Sequence, residues 1–332
     1  MTKYDSSISL DEIMKSLFSV SKKPLIHLIN GLFNEDYNPD NVEIKPINGE
    51  FPKENFDCDN DMFNLSIIRG DFCIDIVDKS NNSEYKYHVE FQTQNDTTMI
   101  IRMFEYGFNH AKQQSSNEEE YDTIYFPRQH VIFVEENREI KDVLKLKVVF
   151  PDGQVVKYTV PVTQYWKYNS QDLVDRGMYV LIPLQLFKLR KSLESIKGSK
   201  KTTDSEKTAL LNEKAREAVQ LAYEVSHLAS SLLNEDLIIG LDLDKILSAV
   251  ENLIAYLNRN YLYNSEIESE VRTMTKSLYD PVVAENAKTQ EKFETAKKAI
   301  KKGMSNEDIK DLTDLSLKDI QKIREELNAS NN

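Results

Sequence analysis

Two neighbouring runs of the chain carry acids at spacings that suit a divalent cation. Residues 71–78 read Asp-Phe-Cys-Ile-Asp-Ile-Val-Asp, and residues 84–92 read Glu-Tyr-Lys-Tyr-His-Val-Glu-Phe-Gln. Both alternate in polarity and are rich in β-branched and aromatic residues. Ser80-Asn81-Asn82-Ser83 lies between them and favours a turn, so the pair predicts a β-hairpin. Side chains alternate faces along a strand. Asp71, Cys73 and Asp75 therefore share one face of the first strand, and His88, Glu90 and Gln92 share one face of the second. A turn centred near Asn81 and Asn82 sets Asp71 opposite Gln92 and diagonal to Glu90, and Asp75 opposite His88. Two carboxylates and an amide then meet at the open end of the hairpin. Hard oxygen ligands of this kind suit magnesium or manganese, which fill their other positions with water and substrate phosphate oxygens. Such an ion activates water and stabilises charge on a phosphodiester under attack. Asp75 is the alternative ligand to Asp71. The competing reading is a surface hairpin with scattered acids, common in so acidic a chain.

The surrounding elements would have to position these groups. Residues 9–33 predict two helices, the second opened by Pro24 and carrying Leu25, Leu28, Ile29 and Leu32 at helical spacing. Residues 42–47 predict a strand, and residues 62–68 another. After the hairpin, residues 97–112 predict a helix apolar on nearly every side, hence buried. Arg102 lies within it, where a charge needs a partner. That partner is Asp96 or Glu105 in one reading, and a site carboxylate or a phosphate in the other. Residues 130–134 predict a short apolar strand, which makes a strand–helix–strand crossover. Residues 144–150 and 154–160 predict a second hairpin around Pro151-Asp152-Gly153. In it Leu144, Leu146 and Val148 alternate with Lys145 and Lys147, so one side should be wet. Residues 179–183 read as a last strand.

The order of these parts resembles the PD-(D/E)xK nuclease superfamily. Within it, the chain resembles the branch described as recombination-promoting nucleases or putative transposases. The residues that carry the likeness are Arg69-Gly70-Asp71, the run Tyr87-His88-Val89-Glu90-Phe91-Gln92-Thr93-Gln94-Asn95-Asp96, and Met99-Ile100-Ile101-Arg102-Met103-Phe104-Glu105-Tyr106-Gly107-Phe108. The likeness covers roughly residues 1–190. It implies a restriction-endonuclease-like mixed central sheet flanked by helices, an α/β fold; beyond it, apolar periodicity predicts an all-α C-terminal domain. The likeness also implies that Asp71 and Glu90 hold magnesium or manganese, that Gln92 places water or phosphate where the wider superfamily has Lys, and that Arg102 supports them. The activity implied is metal-dependent hydrolysis of DNA phosphodiesters by an endonuclease linked to transposition or recombination. The alternative is an inactive nuclease-fold module acting in protein assembly or nucleic-acid binding.

Composition bounds these expectations. The 332 residues suffice for two domains, and 40% hydrophobic with 29% charged residues fits a globular protein. A formal net charge of −13 repels polyanions at long range, which counts against a large non-specific nucleic-acid footprint but not against a local basic groove. Two cysteines, Cys58 and Cys73, form no zinc-binding pattern. No signal peptide and no apolar run of membrane-spanning length is visible, so a cytoplasmic location is expected.

The expected domains are 1–187, nuclease-like; 188–203, a basic linker; and 204–332, helical. The linker carries Lys188, Arg190, Lys191, Lys197, Lys200 and Lys201 against Glu194. The helical part is expected to break at Gly240 and Pro281, and its long helices suit homo-oligomerisation. It ends in a pair with capping patterns at Ser305/Asp308 and Ser316/Asp319, resembling a helix-turn-helix in outline. The second helix of that pair balances acids and bases, which disfavours DNA reading.

Overall fold

A computed structural model describes residues 10–45, 71–93, 96–112, 116–117 and 122–329. The strand expected at residues 62–68 and the residue Cys58 lie outside the described residues. The chain divides into two compact units, Met1–Thr275 and Lys276–Asn332. The division falls near residue 275 rather than at 187–203. None of the described helices is long and apolar enough to cross a membrane.

The first unit opens with α1 (Leu10–Phe18) and α2 (Lys22–Phe33), followed by β1 (Val42–Lys45), β2 (Asp71–Asp78) and β3 (Ser83–Gln92). After these come α3 (Met99–Lys112), the two-residue strands β4 (Ser116–Asn117) and β5 (Asp122–Thr123), β6 (Arg128–Phe133), β7 (Val143–Val149) and β8 (Val155–Gln164). Among the described residues the sheet has six strands in the order β1-β2-β3-β6-β8-β7. β3, β6 and β8 run parallel, and the outer pairs are antiparallel. The fold class is therefore mixed α/β.

Alternation in β2 and β3 decides what covers each face. Phe72, Ile74, Ile76, Tyr87, Val89 and Phe91 are buried on one side. There α1 and α2 bring Phe18 to 4.9 Å from Phe72 and 5.0 Å from Phe91, and Phe33 to 4.8 Å from Tyr87. The opposite face receives α3, whose Met99 and Met103 join Val131, Phe133 and Val160 in a core cluster. The stripe Met99, Met103, Gly107 and Ala111 is what α3 buries. Ile101 and Phe108, expected to be buried, are 54% and 44% exposed. The helix is apolar beyond the width of the face it packs, so burial does not follow all round.

Residues 179–183 are not a strand. They begin a 310 helix, Tyr179–Lys188, with every residue from Tyr179 to Phe187 buried. A continuous apolar run carries no period, so sequence pattern cannot separate a buried strand from a buried helix. This segment packs against α4 (Ser170–Asp175) and against the helical layer of α5 (Leu189–Gly198), α6 (Asp204–Asn234) and α7 (Gly240–Leu257). The expected linker is thus largely the helix α5. Its cations serve internal contacts: Arg190 pairs with Glu135 and Glu194, Lys188 donates to the Tyr168 carbonyl, and Lys191 to that of Glu136 at 2.7 Å. Tyr165 and Trp166 are core residues, with the Tyr165 hydroxyl donating to the Leu181 carbonyl at 2.8 Å.

Gly31 of α2 faces the turn after α4. A Cβ built there would sit 2.1 Å from the backbone oxygen of Arg176. Alanine normally gains about 1 kcal/mol over glycine inside a helix. Here the overlap with backbone should outweigh that gain by roughly 2 kcal/mol. Gly31→Ala is therefore expected to lower Tm in a thermal melt, and a rise would show that the turn can retreat.

The helix α8 (Ile267–Lys301) spans the boundary between the units and continues through Pro281, which was expected to break it. In the second unit, α9 (Asn306–Thr313) and α10 (Leu317–Ala329) are joined by Asp314 at φ 57°. The expected caps form: the Asp308 amide donates to Ser305 Oγ at 3.2 Å, and the Asp319 amide to Ser316 Oγ at 3.1 Å. Ile309, Leu315, Ile320 and Ile323 build its core with Ala296 and Ala299.

Candidate functional site

The hairpin pairs two residues out from the expected register. Asp71 stands directly opposite Glu90, Cys73 opposite His88, and Asp75 opposite Lys86. The turn is Lys79–Asn82, one position earlier than expected, with Asn82 at φ 54°. A two-residue slip preserves faces, because the strand period is two. Asp71, Cys73 and Asp75 thus share a face with Lys86, His88 and Glu90, and the pairing brings Asp71 directly across from Glu90. The Asp71 side chain lies outside the described residues.

Glu90 is fully buried. Its Oε1 accepts from Gln92 Nε2 at 2.9 Å and from Arg102 Nη2 at 2.9 Å. Its Oε2 is buried with no hydrogen-bond partner among the described residues. Arg102, one turn into α3, also donates Nη1 to Asp96 Oδ2 at 3.1 Å. Asp96 in turn caps the helix, accepting from the Thr98 amide at 2.8 Å and from Thr98 Oγ1 at 2.6 Å. Arg102 therefore pairs at once with Asp96, one of the two neighbouring acids expected for it, and with Glu90. The guanidinium lies 5.7 Å from the Tyr106 ring.

Burial outweighs the help from Gln92 and Arg102, and the Glu90 carboxyl is pushed up to about 7. Its proton is held more tightly folded than unfolded. The stability it contributes is complete below the ordinary glutamate value and is lost as pH rises toward about 7. In metal-free buffer the Tm of Glu90→Gln, relative to wild type, is expected to climb between pH 5 and pH 8. A flat difference across that range would contradict the assignment.

Asp75, the alternative ligand, donates nothing to this group. It pairs with Lys86 at 2.8 Å, four residues along β2 from Asp71. His88 is 1% exposed, and its Nδ1 lies 2.9 Å from Gln129 Nε2. Burial, with His110 nearby, pushes it down to about 3, so it is a packed neutral histidine. Gln129 also donates to the Met103 carbonyl at 2.8 Å and accepts from Tyr158. Cys73 Sγ lies 3.2 Å from His110 Nε2, and burial pushes the thiol up to about 12. Sequence reasoning missed this polar layer of Gln129, Tyr158 and His110 between α3 and the sheet. Its members come from three separate elements, and no local pattern marks them.

No group of three or more His, Cys, Asp or Glu residues able to hold a metal occurs among the described residues. A magnesium site needs only one or two protein carboxylates, and the unpartnered Glu90 Oε2 opposite position 71 fits that donor chemistry. No protein-family model, curated protein or solved structure matches the chain.

Proposed function

We propose that this chain is a magnesium- or manganese-dependent endonuclease acting on DNA, with a restriction-endonuclease-like arrangement of hairpin, helix and parallel strand. The observation that carries the reading is a buried glutamate with one oxygen unpartnered among the described residues, standing across the ladder from an aspartate. Asp71 and Glu90 would hold the ion, which when bound supplies a Lewis acid and an activated water. Gln92 and Arg102 both bind Oε1 of Glu90. They fix the carboxylate rotamer and leave Oε2 available. Arg102 keeps a cation beside the site, 30% exposed, where it can meet a phosphate. It partly replaces the positive charge that Gln92 lacks.

A second reading is a nuclease-like fold without turnover, serving assembly or nucleic-acid binding. It is favoured by the Arg102–Glu90 ion pair, which already neutralises the one described carboxylate of the site. Plasmid DNA incubated with the protein and magnesium or manganese separates the two. Nicking by wild type that Asp71→Ala and Glu90→Ala both lose supports hydrolysis. Absence of nicking by wild type favours the inactive module, and equal nicking by all three would mean a contaminating nuclease.

A further inference from the structure

The densest basic stretch of the sequence, residues 188–203, largely spends its charge on internal contacts. A different cationic surface is assembled by strand register. In the β7–β8 hairpin Lys147 stands directly opposite Lys157, and Lys145 opposite Thr159. Alternation puts all three lysines on one face. All three are exposed, and none has an ion-pair partner among the described residues. The acids nearest in sequence are occupied elsewhere. Asp152 Oδ1 accepts from the Gln154 amide at 3.0 Å within the turn, and Asp142 Oδ1 accepts from Gln164 at 2.7 Å. Like charges directly opposed across a ladder repel. The chain has 55 acidic residues with which to relieve that repulsion, against 42 basic, yet among the described residues none pairs with these lysines.

The rest of the ribbon is also unusual for a solvated hairpin. Val149, Phe150, Val155 and Val156 at its tip are 60%, 46%, 44% and 48% exposed. Gly153, at φ 87°, closes the turn, with its amide donating to the Phe150 carbonyl at 2.9 Å. A two-stranded ribbon with a cationic face and a bare apolar tip has the width and chemistry to enter a groove of duplex nucleic acid.

We propose that the β7–β8 hairpin is a duplex-DNA contact arm, with Lys145, Lys147 and Lys157 on phosphates and the valine-rich tip against the groove. The choice of DNA among polyanions rests on the hydrolase reading. The lysine face is the sheet face away from α3, opposite the face that carries Glu90, so the arm is a contact separate from the candidate site. The competing account is an edge strand protected from aggregation by lysines, and it predicts no DNA effect.

The test is fluorescence anisotropy of a labelled duplex with the full chain in EDTA, titrated with salt. Neutralising all three lysines (K145Q/K147Q/K157Q) is expected to weaken binding at least about tenfold at low salt. It should also reduce the slope of log K against log salt by about 2–3, near 0.9 per lost phosphate contact. The variant should melt no lower than wild type, since the removed pair repels. K200Q/K201Q, altering two exposed lysines outside the arm, should bind as wild type does. An unchanged slope in the triple variant, or wild type that binds no duplex at low salt, overturns the inference. If wild type binds through these lysines but nicks nothing, the arm stands and the hydrolase reading falls. If wild type nicks and the triple variant binds equally well, the reverse holds.

Discussion

Plasmid incubated with the Glu90→Gln protein and manganese is expected to stay supercoiled, nicked at least about 100-fold more slowly than by wild type. The substitution keeps the shape of the side chain. Its amide oxygen can still accept from Gln92 and Arg102, whose donors lie 2.9 Å from Glu90 Oε1. What it removes is the anionic charge a divalent ion requires. Stability should move the other way. The wild-type carboxyl is fully buried and pushed up to about 7 by that burial, so holding it ionised costs the fold something. At pH 8 the variant should therefore melt at or above the wild-type temperature. Loss of nicking with a retained melting temperature separates a functional acid from a structural one. Undiminished nicking by a folded Glu90→Gln protein would remove Glu90 from the chemistry.

The second large effect is on folding. Asp242 is 0% exposed near the start of α7. Its Oδ1 accepts from the Ser21 amide at 2.6 Å, and its Oδ2 from Ser21 Oγ at 2.7 Å and from the Ile239 amide at 3.0 Å. One carboxylate thus ties the start of α2 to the start of α7 across 221 residues of chain. Asp242→Ala would strand three donors, two of them on the buried Ser21. At about 1–3 kcal/mol for each unpaired group, discounted for relaxation, the loss should be roughly 3–5 kcal/mol. For a unit of this size that is a fall in Tm of roughly 10 °C. Asp242→Asn should recover part of it, because its oxygen still accepts and its amide can donate to Ser21 Oγ. A shift of less than 2 °C in Asp242→Ala, roughly the effect of one exposed contact, would mean that water replaces the carboxylate.

That link explains why the compact unit extends to Thr275 when composition suggested a boundary near 187. A basic run looks like a linker because charge favours solvent. Here Arg190, half-buried, meets Glu135 and Glu194, and also donates Nε to the Tyr261 hydroxyl at 3.1 Å. These partners lie 55, 4 and 71 residues away, and only folding brings the distant two together.

What the sequence determined was whatever repeats at short range. The period of two in β2 and β3 established both strands and assigned Asp71 and Glu90 to one face. The caps at Ser305 and Ser316, the turn at Gly153 and the helix containing Arg102 are equally local. The tertiary structure decided everything that depends on distance along the chain. It chose a register two residues from the expected one, setting Asp71 across from Glu90 and giving Asp75 to Lys86. It turned the apolar run after Met178 into a helix, because burial from all sides erases periodicity. It also drew Lys145, Lys147 and Lys157 onto one surface while burying the use of a denser basic run. Propensity acts over a few residues, whereas charge pairing and desolvation act between whichever groups the packing makes neighbours.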